Sequence, residues 1–133
     1  MADIRVGTEI PPLQLPPITR STLALYAGAS GDHNPIHIDS DFAKGAGMPD
    51  VFAHGMLSMG YLGRLLTQWK PQARIRKFSA RFTAITHLQD VVTCMGSVVE
   101  LIQINDERCA RVEIRAVKAD GTATLVGEAL VAI

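Results

Sequence analysis

Asp32 and His37 lie five positions apart in the stretch Ser30-Gly-Asp-His-Asn-Pro-Ile-His37. Near neutral pH an unperturbed imidazole titrates, whereas an aspartate is already ionised. Together the two side chains can hold one water and move its protons in opposite directions, which is general acid–base chemistry. A structural alternative stands beside this. Gly-Asp and Asn-Pro both form turns readily, so Asp32 would serve only the loop and His37 would be a satisfied, half-buried histidine. Composition alone favours that alternative. Metal binding is a third reading, because His33, His37, Asp32 and Asp39 cluster in sequence. Histidines four apart share a helix face in zinc motifs. Pro35 bars such a helix here and no cysteine is near, so neither a metal nor a cofactor is expected.

The elements around this stretch must position it. Pro35 pushes Asn34 out of the α region, which makes the segment an irregular loop. Thr19 is an N-cap candidate for a helix from Arg20 to Ala29, with Leu23, Tyr26 and Ala27 on its buried face. After the loop, Asp39 can cap one short turn through Phe42 and Ala43, which Gly45 and Gly47 end. From Ala53 to Trp69, apolar or small residues cover almost every face, the pattern of a helix buried on most sides. Gly55, Gly60 and Gly63 each weaken that helix by ~1 kcal/mol relative to Ala, and close packing against a sheet is the expected offset. Pro71 stops it.

The remainder reads as strands. Phe78, Ala80, Phe82 and Ala84 alternate with polar residues. Val91 to Ile104 is a β-branched run in which Gly96 suggests a bend or bulge. Asn105-Asp106 turns the chain into Arg108–Lys118, and Asp120-Gly121 is a strong hairpin signal before Thr122–Ile133. Four of the seven prolines fall in the first seventeen residues, so the entry segment is extended with at most a short edge strand. Four successive strands joined by tight turns form an antiparallel sheet, and wrapping it around the apolar helix buries both faces. The expected layout is an α+β single hotdog, a curved antiparallel sheet around a central apolar helix. Residues 1–133 are expected to form one such domain.

Thirteen basic and thirteen acidic residues give a formal net charge of zero. Nucleic-acid binding needs a basic excess or stripe, so it is not expected. Arg74, Arg76, Lys77 and Arg81 form the longest basic cluster, read first as a solvated strand face and second as a patch for a phosphorylated carrier or nucleotide. No apolar run reaches the ~20 residues of a membrane span, and the start MADIRVGTEIPP is unlike a signal peptide. A cytoplasmic protein without membrane contact is expected. Cys94 and Cys109 lack metal-ligand spacing and read as buried free thiols.

Three blocks carry a family resemblance: Tyr26-Ala-Gly-Ala-Ser-Gly-Asp-His-Asn-Pro-Ile-His37 with Ala43, Ala53-His-Gly-Met-Leu-Ser-Met-Gly60, and Arg81-Phe-Thr-Ala84. They resemble the MaoC-like family, which includes (R)-specific enoyl-CoA hydratases and (3R)-hydroxyacyl-carrier-protein dehydratases of fatty-acid metabolism. The resemblance implies a hydro-lyase interconverting trans-2-enoyl and (3R)-hydroxyacyl thioesters of coenzyme A or acyl carrier protein. Asp32 and His37 would be its catalytic pair. Gly55 would offer a backbone N–H to the thioester oxygen, and Asn34 would hold the substrate-side loop. A homodimer is implied, with a heterodimer as the variant. Departures are few. Ala29 replaces a larger aliphatic residue or Gly, and Gly63 stands where some (R)-hydratases carry a serine. Ser58 belongs to a different face and does not replace it. His54 stays open between support for the site and simple packing at the helix start. Two other functions compete. A hotdog thioesterase places its carboxylate on the central helix, yet Ala53–Trp69 contains no Asp or Glu. A non-catalytic acyl-binding subunit of a heterodimeric dehydratase would have no chemical need for both Asp32 and His37.

Overall fold

Thr19 does cap the first helix: its hydroxyl accepts from the Thr22 N–H at 3.1 Å. In the computed structural model, which describes residues 3–133, this helix is α1 (Arg20–Ser30), following strand β1 (Glu9–Gln14). A 3₁₀ turn (Pro35–His37), α2 (Ser40–Gly45) and α3 (Gly55–Trp69) come next. Strands β2 (Ile75–Phe82), β3 (Thr93–Ile104), β4 (Glu107–Val117) and β5 (Ala123–Ala132) complete the chain. Asp39 caps α2 by accepting from the Asp41 and Phe42 N–H groups.

The five strands form one antiparallel sheet in the order β1-β3-β4-β5-β2. Strand order corrects one expectation. β2 is not joined to β3 by a tight turn but pairs with β5, Phe78 opposite Ala129. Residues 83–92 make the crossing, and they are tied down both within the segment and to distant residues, Gln89 donating to the Ile18 carbonyl and Thr83 to that of Thr124. Asp90 accepts from the His87 N–H at 2.7 Å and meets the Lys118 ammonium at 3.0 Å. Both hairpins stand as expected. Asn105 and Asp106 take φ of 51° and 63°, the left-handed pair of a tight hairpin turn, while Gly121 at φ 89° closes the β4–β5 link. Pro11 and Pro12 sit where the β1–β3 register breaks, on an edge strand that tolerates missing N–H donors.

Gly96 is a second correction. The register shift in β3 falls between Val98 and Glu100, and Gly96 pairs regularly with Ile114. A Cβ at Gly96 would lie 2.9 Å from Ile114 Cγ2 and 3.0 Å from the Glu113 carbonyl oxygen. Close approach, not a bulge, requires the glycine.

Helix α3 packs against all five strands. Its Leu62, Leu65 and Leu66 are buried in the main core with Val98, Val112, Ile114, Leu125 and Val131. Each such side chain contributes ~1.5–3 kcal/mol of burial. The three glycines divide. A Cβ at Gly55 would come within 2.8 Å of the Phe82 ring, one at Gly63 would merely touch Phe78, and Gly60 faces open space. Close helix–sheet packing therefore explains only Gly55. A smaller core of Ile18, Leu23, Ala43, Val51, Ala53 and Leu57 fastens α1 and α2 to the start of α3. The Asp32–His37 loop lies against that cluster through Ile36, and α1 adds Tyr26. Among the described residues no helix is long and apolar enough to cross a membrane.

Candidate active site

Helix α1 ends at Gly31, whose φ of 76° is left-handed and whose N–H bonds the Ala27 carbonyl. A Cβ there would meet nothing, so the backbone angle is what calls for glycine. Short side-chain bonds then fold the loop upon itself. Asp32 Oδ1 accepts from the Asn34 N–H at 3.2 Å, and Asn34 Oδ1 accepts from the Ile36 N–H at 3.1 Å. These are the local bonds that make Asp and Asn favoured in turns. Asn34 thus fixes the loop, as its residue type suggested.

His37 follows directly. Its Nδ1 lies 2.8 Å from the Phe52 carbonyl oxygen. A carbonyl only accepts, so in this bond Nδ1 carries the proton and neutral His37 keeps a bare lone pair on Nε2. Phe52 also sets its ring edge against the imidazole, centroids 5.0 Å apart. The segment carrying Phe52 is anchored by Asp50, which accepts from the Ser40 hydroxyl at 2.6 Å and the Val51 N–H at 2.7 Å and pairs with Arg20. The Ser40 bond above all, then the Val51 bond, pull its carboxyl down to about 2.

The third member was left open by sequence. His54 is 2% exposed and donates from Nε2 to the Asp32 carbonyl oxygen at 3.0 Å. Its ring stacks on His37, centroids 3.9 Å apart at 28°, and Tyr26 meets it edge-on at 4.8 Å. Burial first, and the negative charge of Asp32 second, raise the Tyr26 phenol above its ordinary value. One donor atom each from Asp32, His37 and His54 lie within 4.8 Å of one another. That is the convergence Asp32 and His37 required. The four-residue cluster weighed for a metal is not assembled: Asp39 caps α2, His33 is exposed, and His54 takes their place.

Gly55 begins α3 immediately after His54, and no side chain caps that helix start. Its backbone is exposed beneath Phe82 of β2. The basic cluster is partly neutralised, because Arg76 makes a two-pronged bond to Glu107 at 2.8 and 2.7 Å. Arg74, Lys77 and Arg81 are exposed. A hollow of about 510 Å³ lies elsewhere, lined by residues of β1, β3, β4 and β5 including Met95, Gly96 and Arg115, and shares no residue with the Asp32–His37 loop.

An antiparallel sheet wound around one apolar helix is a hotdog fold. The chain belongs to the MaoC-like domain family, whose model matches residues 5–119. It is 30% identical over 129 residues to the fatty acid synthase subunit beta of Saccharomyces cerevisiae, covering 95% of this chain and 6% of that protein. It is 34% identical over 87 residues to the (R)-specific enoyl-CoA hydratase of Rhodospirillum rubrum, covering 64% of this chain and 60% of that one. The chain thus spans less than two thirds of either relative. A solved (R)-hydratase from A. caviae involved in PHA biosynthesis superposes with a TM-score of 0.84 at 26% identity, covering 98% of both chains.

Proposed function

We propose that this chain is a hydro-lyase that adds water to trans-2-enoyl thioesters, or removes it from (3R)-hydroxyacyl thioesters. The observation that carries the reading is the convergence of Asp32 and His37 within 4.8 Å, with Nε2 of His37 left free by the Phe52 bond. In hydration the pair holds one water. Its oxygen bonds C3, a proton reaches C2, and the double bond is consumed. A coupled Asp–His pair shares the proton transfers, each worth ~10²–10⁴ in rate. Negative charge grows on the thioester oxygen, and the Gly55 N–H at the uncapped start of α3 is suited to receive it, aided by the helix dipole. Asn34 supports the substrate side by holding the loop.

The thiol carrier is coenzyme A or acyl carrier protein, with no cofactor or metal taking part. A second copy of the chain is the expected partner, and a related chain the alternative. β2 is an open edge paired without a break from Lys77 to Phe82, whereas β1 is broken in its middle by its prolines. Edges of the first kind invite another strand. Two buried free thiols, Cys94 and Cys109, suit a cytoplasmic setting.

Purified protein given trans-2-butenoyl-CoA tests this reading. Consumption of the double bond with release of the (3R)-alcohol alone is expected. A thiol released without hydration, or no reaction with enoyl-CoA and enoyl carrier protein alike, would sink it.

A further inference from the structure

We infer that His54 is a positioning residue for this chemistry, locking the Asp32 backbone and the His37 ring into one geometry. The inference rests on the hydro-lyase reading. Simple packing does not account for His54. It is 2% exposed, and its Nδ1 is buried without a partner. Burying a lone ring nitrogen is costly, and an apolar side chain would avoid that cost. Nor does its side chain cap the helix, since His54 holds the N-cap position of α3 but its ring bonds none of the first turn. Its one polar bond reaches the Asp32 carbonyl, 22 positions back in the chain. The same ring supports the imidazole of His37.

The bond also assigns the tautomer of the neutral ring. A carbonyl acceptor requires the proton on Nε2, so neutral His54 leaves Nδ1 bare. The titratable groups against it are Tyr26 from α1 and Asp32 and His37 from the loop, and the Ser58 hydroxyl is buried and unpartnered one turn along α3. A second proton on Nδ1 would be buried with no acceptor bonded to it, since Nδ1 and the Ser58 hydroxyl are both unpartnered, and would place a cation flat against His37.

His54→Phe keeps a ring to stack but removes the N–H donor, while His54→Gln keeps a donor and removes the stack. Loss of about 10²-fold in kcat is expected for the first, with KM for trans-2-butenoyl-CoA nearly unchanged and the acidic limb of the pH profile moved. In an Asp32→Asn background His54→Phe should cost almost nothing further, because it acts through Asp32. Nitrogen-15 NMR of the wild type should show His54 protonated on Nε2 and His37 on Nδ1. Wild-type kcat and pH profile in His54→Phe, or a full additional loss in the double variant, would overturn the inference. Should His54→Phe fail to fold, His54→Gln tests the stack on His37 instead: kcat should fall with KM nearly unchanged, and wild-type kcat there would overturn the role given to the ring. A wild type without turnover counts against the hydro-lyase reading instead. The NMR then decides the inference alone, and a proton on His54 Nδ1 would overturn it.

Discussion

His37 illustrates how one carbonyl sets the chemistry of a side chain. Its bond to Phe52 fixes which nitrogen bears the proton, and the other is left for water. Gly55 shows the same economy in backbone. A methyl group there would press within 2.8 Å of the Phe82 ring and crowd the N–H that begins α3. Ala is the better helix former by ~1 kcal/mol, and Phe82 is exposed enough to swing aside, so Gly55→Ala should move stability by no more than about that amount. Its kcat/KM should fall about tenfold, since a misplaced donor loses transition-state stabilisation. Thermal melts and steady-state kinetics on Gly55→Ala and Gly55→Ala/Phe82→Ala check this, and the second variant should recover part of the loss. Asp32, Asn34 and His37 were singled out by the motif that carries the family resemblance, and of their side-chain bonds those of Asp32 and Asn34 run to near neighbours while that of His37 runs to Phe52. His54 was not legible in sequence, because its partner Asp32 is distant in the chain and only the fold brings the two together.

At the scale of elements, the site depends on two clamps. The small apolar cluster under α1 and α2 is one. Asp50 is the other, joining α1 through Arg20, α2 through Ser40 and the Phe52 segment through Val51. Its carboxyl falls from 3.8 to about 2 on folding. The depressed value means this contribution is complete above the unfolded value and is lost as pH falls through the folded one. Asp50→Asn should therefore melt lower than wild type at pH 7, and the gap should close between about pH 4 and pH 2. Melts across that range measure it, and a gap independent of pH would contradict it. Helix limits and both hairpins followed from caps and turn residues, which are local signals. Pairing of β2 with β5 did not, because the bonds that hold residues 83–92 in a crossing run to distant segments, among them Ile18, Ala53, Lys118 and Thr124. Gly96 read as a bulge for a related reason: only the partner strand reveals the close approach of Ile114 and Glu113.

For the whole molecule, one sheet wrapped on one helix leaves β2 as an open edge and places Phe82, at its end, over the start of α3. Sedimentation at micromolar concentration should find a dimer, and a monomer there would remove the partner proposed for that edge. The alternation of apolar residues was enough to foresee a sheet and a buried helix, while strand order needed coordinates. The proposed chemistry turns on Asp32 and His37 acting on one water. The most direct measurement is single-turnover hydration of trans-2-butenoyl-CoA by wild type, Asp32→Asn and His37→Gln, each first shown to be folded. Both variants should lose about 10²–10⁴-fold in rate with the (3R) outcome retained in any residual product. Wild-type rates in the two folded variants would contradict the assignment.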